Sequence, residues 1–155
     1  MLAMCLLLAT LMLLVVLGML GSRGPQQEAA AAHRLHLQAL NLAQAGLEDV
    51  RAKLAKDIRF PPPASPDQPY FSYAERVYDV DDRVVGSFQV RIDLSLNQAP
   101  YCVYRVTSTG LLGDVERPLA SARLRQEIDN HPRDRLDESL PNPKRHQVLT
   151  QEELP

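Results

Sequence analysis

The chain has 155 residues, of which 45% are apolar and 23% charged, and its formal net charge is −2. A near-neutral balance with no basic patch interleaved with aromatics gives no support for nucleic-acid binding. With only two cysteines, Cys5 and Cys102, there is no disulfide framework to stabilise a small secreted scaffold.

Residues 1–22 contain no charged side chain, and the first charge is Arg23. A spanning helix needs about 20 apolar residues. At ~1.5 Å per residue the run covers roughly 33 Å. A lone segment in lipid must pair its backbone amides internally, which only a helix achieves. Two readings are open for this run: a retained transmembrane anchor, and a cleaved secretory signal with its cut near Ala29–Ala32. The length of the run and the lack of a basic residue before it favour the anchor. Arg23 and Arg34 follow the span, which would set that side in the cytoplasm; a basic leader upstream of Met1 would remove the conflict. With residues 1–22 in a membrane, Cys5 and Cys102 cannot pair within one chain.

From residue 23 to 60 the pattern becomes that of an amphipathic stalk helix. Leu40, Ala43, Leu47, Val50 and Leu54 recur at spacings of three and four and form one apolar stripe. Asp49 and Lys53 are spaced for an i,i+4 ion pair. Lys53, Lys56 and Arg59 lie near the C-terminal end, where the helix dipole favours cations. Pro61-Pro62-Pro63 stops the helix. Gly21, Gly24 and Pro25 predict a kink where the two helical sections meet.

Residues 61–69, PPPASPDQP, read as a stiff polyproline-like connector. A β head follows over 70–129, with strands predicted at Phe71–Val80, Val84–Leu94, Tyr101–Thr109 and Val115–Ile128. The second alternates cleanly, with Phe88, Val90, Ile92 and Leu94 on one face and Ser87, Gln89, Arg91 and Asp93 on the other. Asp81-Asp82 and Asn97–Pro100 turn the chain. Gly110 is expected to end the third strand, and Leu111–Asp114 to form a hairpin loop. Pro118 signals an edge or bulge. The expected sheet core is Phe88, Val90, Ile92, Leu94, Val106 and Leu124. So few strands bury too little surface alone, so the stalk stripe is their natural partner: an α+β arrangement with a long helix across an antiparallel sheet. Residues 130–155, rich in proline and charge, are expected to be disordered.

The order of these segments resembles a known group. The segment Ala39–Glu48, ALNLAQAGLE, is similar to the "A-x-x-A-E-A-G-L-E" stretch of type IV pilin-like proteins, with Gln44 where Glu is usual. Tyr104–Gly110, YRVTSTG, resembles their "Y-x-I-T-S-x-G" strand, and Ala120–Arg125 the strand after it. The resemblance covers residues 3–129 and is closest to PilX-type minor pilins. The glycine–cleavage–glutamate signature of the prepilin peptidase is absent, and no acidic residue precedes Glu28; many PilX-like proteins also lack that glutamate. The resemblance implies a pilin-like fold and a structural subunit of a type IV pilus or related fibre. It would be held in a bacterial inner membrane by one span, with an extracytoplasmic head that reaches the cell surface on assembly. Its partners would be other pilin or pseudopilin subunits and the inner-membrane assembly machinery. Gly18, Gly21 and Pro25 would lie in the region that loses helicity on assembly. The alternative is a single-pass, membrane-tethered periplasmic binding module that never enters a fibre.

No residues are arranged for catalysis, and no phosphate loop, nucleophile elbow or zinc pattern is present, so no enzyme activity or cofactor is expected. His33 and His36 at i,i+3 have metal-ligand spacing, but without a third ligand nearby they read as a solvated helix face. Asp79, Asp81 and Asp82 are candidate calcium ligands that read instead as a solvated turn. Tyr70, Phe71 and Tyr73 read as cover for the sheet rather than a partner anchor. Cys102 reads as a small buried apolar residue within the third strand.

Overall fold

The computed structural model describes residues 2–21, 23–57, 59–63 and 68–155. The elements run α1 (Leu2–Gly21), α2 (Arg23–Lys56), β1 (Tyr70–Tyr78), β2 (Val84–Asp93), β3 (Val103–Gly113), β4 (Pro118–Asp129) and β5 (Val148–Leu154). The chain divides into two compact units, Met1–Leu35 and His36–Pro155.

In the first unit α1 carries an unbroken leucine-rich sequence, LAMCLLLATLMLLVVLGMLG. Among the described residues no helix is long and apolar enough to cross a membrane. The described side chains of α1 run from residue 3 to residue 14, short of the ~20 that a span requires, and all are exposed. The expected kink falls at the boundary between α1 and α2, where Ser22 lies outside the described residues. Pro25 falls in the first turn of α2, where its missing N–H leaves no bond unmade.

The second unit is a helix laid on a sheet. Its α+β architecture is the expected one, but the sheet has five antiparallel strands in the order β1-β2-β3-β4-β5, a simple meander. The helix contributes Ala39, Leu42, Ala43, Leu47, Val50 and Leu54, all buried. Facing them are Phe88, Val90 and Ile92 of β2, Tyr104 and Val106 of β3, and Leu124 and Ile128 of β4. Strict alternation puts these residues on one face of the sheet. Leu40 and Leu94 are only partly buried at the margin of this core, and Leu94 lies just past the end of β2.

The helix ends at Lys56, ahead of the prolines, with Lys53 and Lys56 in its last turn. The chain then folds back so that Phe60 meets Phe71 and Tyr73 edge-on, with ring centroids 5.7 and 6.3 Å apart. Of the connector, residues 64–67 lie outside the described residues; Pro69 accepts a backbone hydrogen bond from Leu94 at 2.9 Å.

Four sequence expectations are corrected. Gly110 does not end β3, which continues to Gly113. The glycine is there because the helix backbone passes over it: a Cβ would collide with the Ala39 carbonyl and the Ala43 amide. Strand β4 starts at Pro118 rather than Val115, since a register irregularity at Leu112/Gly113 sets Pro118 opposite Gly113. Cys102 precedes β3 instead of lying in it, half-buried at a positive φ of 50°. Residues 130–155 are ordered. They form a bonded loop and then β5, which pairs with β4 from Arg123↔Leu154 to Ile128↔Val148. An edge strand exposed on both faces needs no apolar periodicity, which is why composition alone concealed it.

Candidate assembly surfaces

The helix–sheet seam contains the anticipated stripe. Ala43, Leu47 and Val50 are fully buried, and Leu54 nearly so; among the sheet residues Ile92 and Val106 are fully buried. Close approach is set by residues the stripe did not include. Gly46 rests against Ser108 and the Phe88 ring, and Gly86 against Leu42 and the Leu111 carbonyl. Small residues at a helix crossing point could have been noticed in the run Ala43-Gln44-Ala45-Gly46. Their partners Ser108 and Gly110 lie far away in sequence and carried no signal of the contact.

A polar cluster locks the flank of this seam. Asp49 accepts from the Tyr73 hydroxyl at 2.7 Å and from Lys53 Nζ at 2.6 Å. Lys53 also reaches Glu75 at 2.5 Å, with its ammonium 3.9 Å from the Tyr73 ring centroid. Burial, then the hydrogen bond to Asp49 and the charges of Asp49 and Glu75, push the Tyr73 phenol far above its usual range. Burial disfavours charge on Lys53, but its two carboxylate partners outweigh burial and raise its pKa. The i,i+4 spacing of Asp49 and Lys53 was visible in the sequence; the arrival of Tyr73 and Glu75 from β1 was not.

At the end of β4, Asp129 organises the connection to β5. Its Oδ1 accepts from the His131 amide at 3.0 Å and Arg135 Nη2 at 3.1 Å, and its Oδ2 from Asn142 Nδ2 at 2.8 Å. The His146 amide donates to the Asp129 carbonyl at 2.7 Å. Burial alone would raise this carboxyl, but the hydrogen bonds prevail and hold it below the usual carboxylate value. Strand β5 then ties to the helix through His36 Nε2 and Glu153 Oε1 at 3.0 Å, and through Gln151 Nε2 donating to Gln44 Oε1 at 2.9 Å.

No family model, curated protein or solved structure matches the chain.

The other sequence candidates are placed as follows. Among the described residues no group of three or more His, Cys, Asp or Glu is placed to hold a metal. His33 is exposed, and His36 is engaged with Glu153. Asp79 spends its Oδ1 on the amides of Asp81 and Arg83, at 2.9 Å each, which makes it the closing residue of a turn. Phe71 and Tyr73 cover the core, while Tyr70 lies on the opposite face, beneath the Arg91 guanidinium at 3.9 Å from the ring centroid. The outward face of β2, β3 and β4 presents Arg91, Arg105, Arg123 and Arg125 around an open trough of about 790 Å³. The alternation of Arg123 and Arg125 at i,i+2 was a readable signal for that face.

Proposed function

We propose that this chain is a structural subunit that assembles through its N-terminal helix, of the minor-pilin or pseudopilin kind. The observation that carries the reading is the apolar helix α1, whose described side chains, Ala3 to Leu14, are all exposed. An apolar surface of that extent in water is unfavourable by roughly 25 cal/mol per Å² and demands lipid or other helices as cover. In the proposed cycle residues 1–22 rest in the inner membrane as a single span. They then leave lipid for the interior of a fibre, where neighbouring helices replace the acyl chains. The second unit adds support, since a helix seated on an antiparallel meander gives a rigid body that such a helix can carry.

In this reading the chain performs no chemistry. Its work is to exchange one apolar environment for another while the head stays folded. The test is to shear filaments from the cells that make this protein and probe both the released material and the membrane fraction. Presence in the sheared filaments is expected. Retention of the whole population in the membrane fraction would favour the tethered binding module instead.

A further inference from the structure

The outward face of the sheet carries a charge pattern that the helix–sheet seam leaves unused. Cross-strand rows on this face follow the register. Ser72, Arg91, Thr107, Arg125 and Glu152 form one row, and Ala74, Gln89, Thr109, Arg123 and Leu154 the next. Neighbouring strands lie ~4.8 Å apart, so Arg91 and Arg125 flank Thr107 at roughly 10 Å from each other. These two rows hold three guanidinium groups and a single carboxylate, Glu152, at the edge. Farther along, charge is balanced: Asp93 lines the same trough in the row of Arg105, and Arg105 donates through Nε and Nη2 to Glu127 Oε1 at 3.1 and 3.0 Å. Arg123 makes no ion pair among the described residues. Arg125 pairs with Glu152 through Nη1, yet its Nε is buried with no acceptor. Guanidinium groups and hydroxyls in this arrangement suit carboxylates.

A complementary surface lies on the same chain. The β1–β2 turn presents Asp79, Val80, Asp81 and Asp82, all exposed, with Val80 at 103%. Asp79 is occupied by its own turn, whereas Asp81 and Asp82 make no ion pair among the described residues. The turn cannot reach its own trough. Ser72, level with Arg91, stands six residues before Tyr78, roughly 20 Å along the strand at ~3.3 Å per residue.

We propose that the acidic β1–β2 turn of one copy docks into the arginine trough of a second copy, with Asp81 and Asp82 meeting Arg91, Arg123 and Arg125. Val80 would come to rest against the apolar margin of Tyr70, Ala74 and Leu154. Turn and trough are different surfaces, so a contact made one way leaves a free turn and a free trough for further copies. The inference takes its setting from the fibre reading, on which it rests, and adds a head-to-head contact to the helix-driven assembly.

The test uses the full chain in nonionic micelles, with Cys5→Ser and Cys102→Ser as background. One tagged population carries Val80→Cys and a second carries Thr109→Cys. A bismaleimide is expected to join the two populations, with a yield that falls as salt rises and the Debye length shrinks. Asp81→Lys with Asp82→Lys in the first population should lower the yield by about tenfold or more, because like charges then face each other. Adding Arg91→Glu with Arg123→Glu to the second population should restore it, a gain that no misfolded variant can imitate. Equal yields across all combinations would overturn the proposal. So would retention of polyglutamate by the trough without any joining of copies, since the occupant would then be a foreign acidic partner. Filaments that contain the chain but never give the cross-link would remove this contact and leave the fibre reading intact. Cross-linking in chains that never enter filaments would do the reverse.

Discussion

Gly46 of α2 lies directly against Ser108 of β3, so close that a single methyl on the glycine would overlap the serine hydroxyl. The Phe88 ring stands 3.0 Å from the same point. In an exposed helix position Gly→Ala gains about 1 kcal/mol. Here the sign reverses, and Gly46→Ala should destabilise by about 1–3 kcal/mol through overpacking. Ser108 Oγ is buried without a partner, so Ser108→Ala should be neutral or stabilising. The double variant should lose less than Gly46→Ala alone. Urea melts of the four proteins in nonionic micelles close this cycle; strict additivity would show that the two residues do not meet.

Leu47 is fully buried at the centre of the stripe. Leu47→Ala should cost about 2–5 kcal/mol, the transfer loss plus the cavity left behind. Leu37, on the same helix but 43% exposed, should tolerate alanine within about 0.5 kcal/mol. Equal effects from the two, measured by chemical denaturation, would contradict the orientation of the helix on the sheet.

The seam explains how much the sequence disclosed. The spacing of Ala43, Leu47, Val50 and Leu54 and the alternation of Phe88, Val90 and Ile92 are local periodicities, and both emerged on the buried faces, with Leu40 at the margin. What periodicity could not carry is contact between distant segments. Gly110 resembles a strand terminator until Ala39 and Ala43 pass over it. Likewise residues 130–155 look unstructured until Asp129 collects their amides and β4 offers them an edge. Polar, long-range organisation leaves no period in a chain, and it was this organisation that composition misjudged.

Asp129 makes the head acid-sensitive. Its folded pKa is depressed, so its contribution is complete above the unfolded value of about 3.9 and is lost as pH falls through the folded value. Stability should therefore decline below about pH 4, with loss of protection in residues 130–147 before the core opens. Asp129→Asn should destabilise at neutral pH by about 1–3 kcal/mol, because the added amide cannot accept from Asn142, and should flatten the acid limb. Hydrogen exchange across pH 3–7 reads both effects.

Tyr73 and Lys53 make the opposite limb steep. Both folded pKa values are raised, so the stabilisation is whole below the unfolded values, about 10 for Tyr and 10.4 for Lys, and is lost as pH climbs above them. Tyr73→Phe should cost about 1 kcal/mol at neutral pH through the lost bond to Asp49, while weakening the alkaline decline above about pH 10. A thermal melt series from pH 8 to 11 checks this, and an unchanged alkaline slope in the variant would count against the Asp49–Tyr73 lock.

Because Glu153 is held to His36 and Gln151 to Gln44, strand β5 lies beside the helix and is not a loose tail. An epitope or fluorescent domain placed against β5 would crowd the flank of the helix and report on a disturbed protein. The loop before the Asp137–Leu140 turn carries Leu136, a side chain 98% exposed, where a label meets no packed neighbour.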